Sequence, residues 1–275
     1  MKAMKHVGPS EIVLPPQPRD YPGVNWEGLK TLYLREVRRF LKVGMQTLAA
    51  PVVTALLYML VFVVAVAGGR PVHGVAYGTF VAPGLIMMQI LSNAFANSSS
   101  SLLQAKFNGL MGDFLTPPLT PAEHVVGFGL GAATRGIVVG AVTCVAVLPF
   151  ARLPLAHIWA VAFFGLGAAL IMGFIGIMAG LWAEKFDHMA AVTNFVIMPM
   201  TFLSGTFYLV ERLPEPFRSF SHFNPFFYLI DGFRYGFIGR AESSLPVGVA
   251  MTLGLVLATG WACLWMFRTG YKIKT

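Results

Sequence analysis

Six apolar runs, at about 45–67, 77–96, 125–150, 158–182, 189–207 and 247–267, dominate this chain. A helix of about 20 residues crosses the ~30 Å hydrocarbon core of a bilayer. Lipid offers backbone N–H and C=O groups no partner, so spans of this kind fold as helices. The expected class is an all-α membrane protein with six transmembrane helices. Only 12% of the 275 residues are charged and 56% are hydrophobic, against roughly 25% charged in soluble domains, which leaves no room for a sizeable soluble domain.

The stretch from Pro199 to Arg240 begins like a span and ends differently. From Phe217 to Phe237 it carries nine aromatics, interrupted by Pro225, Asp231 and Arg234. On an insertion scale a charge near mid-span costs about 2.5–3.5 kcal/mol, and a strongly apolar side chain returns about 0.3–0.6. Two charges outweigh about eight apolar residues, so a re-entrant or interfacial hairpin is expected over about 211–238. Asp231 and Arg234, three apart on one helix face, are expected to pair.

Charge orients the spans. With both termini in the cytoplasm, 13 of the 20 basic residues lie inside, six lie outside, and Arg135 lies within a span. Basic termini on one side require an even number of spans. The net charge of +8 therefore reads as topology signals beside anionic headgroups, and no nucleic-acid surface is expected. Residues 1–25, with Pro9, Pro15, Pro16, Pro18 and Pro22, read as a flexible cytoplasmic tail. From Trp26 to Lys42, Trp26, Leu29, Tyr33, Val37, Phe40 and Leu41 recur at helical spacing among basic residues, the pattern of an amphipathic helix in the headgroup plane.

Chemistry-bearing motifs are sparse. The chain has no nucleophile elbow, phosphate-binding glycine loop, HExxH or Cys/His cluster, so no catalytic, cofactor or metal site is expected and the chain cannot hydrolyse ATP alone. Cys144 and Cys263 read as packing residues. Gly127, Gly131, Gly136, Gly140, Gly176 and Gly180 form small-xxx-small pairs that bring helices close. Arg135 either points inward or snorkels to headgroups. Gln89, Asn93, Asn194 and Thr201 line a transport path or make ordinary interhelical hydrogen bonds. Between the second and third spans, Leu102–Leu115 has the spacing of a short amphipathic helix ended by Pro117, Pro118 and Pro121. This helix and the charged loop Glu184–His188 are candidate docking surfaces for a cytoplasmic partner.

Taken together, "FVAPGLIMM" (Phe80–Met88), "AKF" (Ala105–Phe107), "LTPPLTPAE", "FLSGTFYLVERLPE" (Phe202–Glu215) and "NPFFYLIDGFRYGFIG" (Asn224–Gly239) resemble type-2 ATP-binding-cassette (ABC) exporter permeases. The resemblance is narrowest to the bacterial YadH-type inner-membrane transport permeases. It implies a homodimer of permeases working with two copies of a separate ATPase that binds ATP and magnesium. Lys106, Phe107, Leu110, Asp113 and Phe114 would lie on a coupling helix docked to that ATPase. The hairpin around Asn224, Pro225, Asp231 and Arg234 would form an outer gate for a lipid, glycan or amphipathic cargo leaving across the inner membrane. A secondary transporter acting alone would need paired acids or an ionisable relay at mid-membrane, and apart from Arg135 the spans hold none. A membrane anchor subunit is the other alternative.

Overall fold

A computed structural model describes residues 23–66, 72 and 74–272. The expected tail over 1–25 therefore lies, apart from Gly23, Val24 and Asn25, outside the described residues. The chain is built of helices. α1 (Trp26–Lys42) leads through a π-helical turn at Met45–Ala49 into α2 (Ala50–Val66), followed by α3 (Tyr77–Phe107), the short α4 (Met111–Leu115), α5 (Pro121–Val147) and α6 (Ile158–Trp182). Next come α7 (Phe186–Val192) and α8 (Met198–Phe202), joined by a second π-helical turn, then α9 (Phe217–Phe223), α10 (Pro225–Ile238) and α11 (Leu245–Thr269). Among the described residues, five stretches are long and apolar enough to cross a membrane: Met45–Val63, α3, α5, α6 and α11.

α3 is the axis of the bundle. Protein buries 89% of its most apolar window, against 17% for the windows of Met45–Val63 and α11. The expectation of a span ending near 96 and a separate helix over 102–115 is corrected. α3 runs unbroken to Phe107, and the break falls at Asn108–Leu110, where Gly109 adopts a left-handed φ of 67°. The polar run Ser98–Ser101 stays helical because its hydroxyls have nearby acceptors. Ser99 and Ser100 donate to the Phe95 and Ala96 carbonyls (2.7 and 2.6 Å), Ser98 to Gly173 on α6 (2.6 Å) and Ser101 to Glu36 on α1 (2.7 Å).

Small residues then let the neighbours close in. A Cβ at Gly176 would stand 2.6 Å from the Phe95 carbonyl oxygen, and one at Gly180 would stand 2.9 Å from that of Ser99. α5 approaches the opposite flank through Gly136, against Ala94 and the Ile90 carbonyl, and through Gly140 against Ile90. Gly131 and Gly127 accept Glu36 and Leu32 of α1.

The stretch expected to span over 189–207 is not among the five. Its helix, from Phe186 to Phe202, is about 25 Å long, short of a ~30 Å core. The stretch 186–207 nevertheless touches both ends of α3. Phe186 stacks on Phe107 at one end (4.9 Å between ring centroids), and the Tyr77 hydroxyl donates to the Phe207 carbonyl at the other (2.7 Å).

α10 is packed inside the bundle. Ten of its 14 residues are buried, against α6, α3 and α11. Gly232 makes room for the Phe164 ring, and Asn224 caps the first turn by accepting from Phe226 N (3.0 Å) while donating to the Met200 carbonyl (2.6 Å).

α1 also differs from its expected face. Leu32, Glu36 and Phe40 turn inward, whereas Trp26 is 72% exposed and Leu41 52%. Its start is fixed by Glu123, which accepts from Asn25 N (2.6 Å) and from Thr120 N (2.6 Å) while the Thr120 hydroxyl accepts from Glu123 N (3.3 Å). That is a capping box on α5 shared with α1. Lys272, just past α11, pairs with Glu184 (2.7 Å) at the same end. Residues 25 and 272 therefore lie at one end of the bundle.

Gly176→Ala is expected to push α3 from α6 and destabilise the protein by about 1–3 kcal/mol. Gly254→Ala, with nothing within 4 Å of the added Cβ, is expected to be neutral or slightly stabilising. Thermal melting in a mild detergent reads both, and equal melting temperatures for the two variants would contradict the packing account.

Candidate functional site

Candidate residues gather at the two ends of α3 and along its middle. α3 is about 46 Å long, more than a ~30 Å core requires, and its last turn lies at the α1 end. Phe107 (54% exposed) and Phe186 (51%) form an exposed aromatic pair there, with exposed Leu110 and Asp113 nearby on the chain. Two of the five expected docking residues turn inward instead. Lys106 caps the end of α6, donating to the carbonyls of Leu181 and Ala183. Phe114 is buried under the Arg35 guanidinium, 3.7 Å from the ring centroid, and its carbonyl faces His124 Nε2 at 2.8 Å. Both serve to brace α4 and the end of α3 against α1, α5 and α6. Phe186 is not among the expected docking residues, although it lies within the candidate loop Glu184–His188.

Along the middle of α3, Gln89, Asn93, Asn97 and Ser101 recur every four residues on one face. Asn93 donates to the Gln89 carbonyl (3.1 Å) and accepts from Arg135 (3.2 Å). Asn97 accepts from Arg39 at its carbonyl (2.6 Å) and its side chain (3.1 Å), and Glu36 accepts from Arg39 (3.2 Å) and Ser101 (2.7 Å). Glu36 is fully buried, a role the amphipathic pattern of α1 hides because the residue belongs to the polar set.

The adjacent face of α3 borders a cavity of about 220 Å³ opening toward α7, lined by Ser92, Ser99, Ser100 and Thr193 among Phe95 and Met189. None of Gln89, Asn93, Asn194 and Thr201 lines it. Gln89 and Asn93 face the polar ladder, Thr201 donates to the Ile197 carbonyl (2.6 Å), and Asn194 is exposed. The cavity's polar groups are neighbours in sequence, Ser92 beside Asn93 and Thr193 beside Asn194. Ser100 also accepts from Arg39 (3.2 Å), tying the cavity to the network on α1.

At the far end, Asp231 and Arg234 do not pair, contrary to expectation. The loop 239–244 folds back between them. Asp231 accepts from Glu242 N (3.0 Å), Ser243 N (2.8 Å) and the Ser243 hydroxyl (2.6 Å), while Arg234 pairs with Glu242 (3.3 Å) and donates to the Gly205 carbonyl (2.5 Å). The Arg234 guanidinium also lies 4.1 Å from the Phe80 ring centroid, and Glu242 accepts from Val210 N (2.9 Å). One arginine thus joins α10, α3, the turn after α8 and the loop before α11. Pro225 is the first residue of α10 and Asn224 its cap.

Burial pushes the Glu242 carboxyl up to about 7, against the pull of Arg234 and with Asp231 and Glu211 adding to the rise. An exposed glutamate titrates near 4.3, so the closed loop binds the proton more tightly than the open one. Its closure therefore weakens as pH rises from about 4.5 to 7 and is level above that. Hydrogen exchange at 239–244, corrected for intrinsic rates, is expected to be faster at pH 8 than at pH 5.5. Glu242→Gln is expected to remove the difference, and an unchanged pH dependence in that variant would contradict this.

The ABC-2 type transporter family matches residues 27–238. The chain is 33% identical to the inner membrane transport permease YadH of Escherichia coli (strain K12) over 253 residues, covering 91% of this chain and 98% of that protein. It is 29% identical to nodulation protein J of Rhizobium leguminosarum bv. viciae over 239 residues, covering 82% and 88%. Both the family match and the YadH relative extend over most of the chain, and this protein belongs to the ABC-2 type transporter family of membrane permeases.

Proposed function

We propose that the chain is the permease of an ATP-driven exporter of the bacterial inner membrane, acting as a homodimer with two copies of a separate ATPase that binds ATP and magnesium. The observation that carries this reading is the exposed pair Phe107–Phe186 at the α1 end of α3, with Leu110 and Asp113 beside it. An exposed aromatic cluster past the bilayer is unfavourable in water and suits a protein groove. It is held rigid by Lys106 on α6 and Arg35 on Phe114. ATP-driven movement of the partner would tilt α3 as a rod, because α5 and α6 are packed onto its backbone.

In this reading the chain crosses the membrane six times, 186–207 being the short crossing, with both termini cytoplasmic and the outward apolar residues of α1 in the headgroup layer. The cavity between α3 and α7 is half of the transport path, completed by the second copy across a two-fold axis. The hydroxyl and apolar lining suits a lipid, glycan or amphipathic cargo. The ionic knot at Asp231, Arg234 and Glu242, together with the Asn224–Pro225 corner, forms the outer gate.

Phe107→Asp and Phe186→Asp are each expected to reduce recovery of the ATPase with affinity-tagged permease by about tenfold, the effect of ~1.4 kcal/mol. Phe223→Asp, at the opposite end and 84% exposed, is expected to leave it unchanged. Full recovery with both α1-end variants would remove this docking surface.

A further inference from the structure

The polar ladder on α3 leaves one half-buried charge without a counter-charge. Two guanidiniums, Arg39 and Arg135, share this region with a single carboxylate, Glu36. Glu36 is already occupied, with Arg39 at 3.2 Å, Asn97 at 3.4 Å and Ser101 at 2.7 Å. Arg39 has its counter-charge in Glu36 and further acceptors in Asn97 and Ser100, although its Nε, like that of Arg135, is buried without a partner. Arg135 has one hydrogen bond, to the neutral Asn93 side chain at 3.2 Å, and its Nε is buried without a partner. Among the described residues no carboxylate lies within ion-pair distance of it. The nearby charge acting on it is Arg39, of the same sign. An arginine so placed in a membrane helix is costly unless something anionic meets it.

Its depth and surroundings say what that is. Arg135 lies one turn, about 6 Å, along α5 from Gly131, whose Cβ position abuts Glu36 of α1. From there a snorkelling arginine side chain reaches the level of the basic helix α1, which the proposed function places in the headgroup layer. Arg135 is only half-buried, and from it Val138, Val142 (37% exposed) and Val145 (67%) ascend one flank of α5 as an apolar track open to acyl chains. Exposed Lys30, Arg38 and Lys42 on α1 concentrate anionic lipid in the same leaflet.

We infer that Arg135 binds the phosphate of an anionic membrane lipid, whose acyl chain lies along Val138, Val142 and Val145. The lipid supplies the missing negative charge and seals the seam between α1, α3 and α5. The site is separate from the α3–α7 cavity and does not depend on the cargo or on the ATPase.

The test is native mass spectrometry of the purified full-length chain, titrated with phosphatidylglycerol, with phosphatidylcholine of the same acyl chains, and with inorganic phosphate. The wild type is expected to prefer phosphatidylglycerol over phosphatidylcholine by about tenfold, the scale of one charge-assisted contact. Arg135→Gln is expected to lose that preference, and Arg135→Lys to keep part of it. Asn93→Asp places a carboxylate beside Arg135 and is expected to fold and to lose the preference too, because the counter-charge is then internal; it carries the test if Arg135→Gln fails to fold. Retention of the preference in Asn93→Asp, or equal binding of the two lipids by the wild type, would overturn the inference. Arg135-dependent displacement of the lipid by inorganic phosphate would assign the site to a free anion instead.

Discussion

The close approach of α5 and α6 to the backbone of α3 is the constraint on which the rest of the structure depends. Lipid gives apolar helices no reason to prefer one another over acyl chains, so association in a bilayer rests on packing and interhelical hydrogen bonds. Gly176 and Gly180 meet the carbonyls of Phe95 and Ser99, and Ser98 adds a hydrogen bond to Gly173. α3 is therefore clamped over the half nearest α1, while the rest of the chain leaves Met45–Val63 and α11 largely uncovered. A helix held this way moves as a unit, and what is attached at its two ends moves with it.

The two ends are fastened by different physics. At the α1 end the fastening is capping and cation–π contact: Lys106 on the α6 carbonyls, Arg35 over Phe114, and the Thr120–Glu123 box shared with Asn25. These braces leave Phe107 and Phe186 exposed as a stacked pair. At the far end a buried arginine shared by four segments closes the structure, and its carboxylate partner Glu242 titrates near neutrality. Desolvated ion pairs contribute little net stability but break at high cost, which suits a closure that is either made or open. Under the proposed function, force enters through packed aromatic surface and cargo leaves past an electrostatic latch.

Much of the architecture was legible because apolar length is a direct signal of a membrane helix. The failure of 217–237 as a simple span was legible too, from the cost of Asp231 and Arg234. Their burial was not, since their partners come from the loop 239–244 and Gly205, outside any local pattern. Ser98–Ser101 misled in the other direction: four serines look like a loop until their hydroxyls are traced to helix carbonyls and to Glu36. Glu36 itself sits among basic residues of α1, and only the juxtaposition with Asn97 and Ser101 reveals it as a core residue. Of the docking candidates, Phe107, Leu110 and Asp113 are exposed, whereas periodicity alone could not tell that Phe114 would fold under Arg35. The cavity walls lie one residue from two of the polar positions that the sequence singles out, Ser92 beside Asn93 and Thr193 beside Asn194, a rotation of about 100° on a helix.

The central claim is that α3 carries motion as a rod between an ATPase-docked end and the transport cavity. The most direct measurement is pulsed electron–electron resonance on spin labels at Asn108 and Ala76, the residues that cap the two ends of α3, in the permease–ATPase complex with and without a non-hydrolysable ATP analogue. The account predicts that the Asn108–Asn108 distance between the two copies changes by several ångströms on nucleotide binding, while the Asn108–Ala76 distance within one copy stays constant. A nucleotide-insensitive distance between copies, or the absence of any second copy within range, would contradict it.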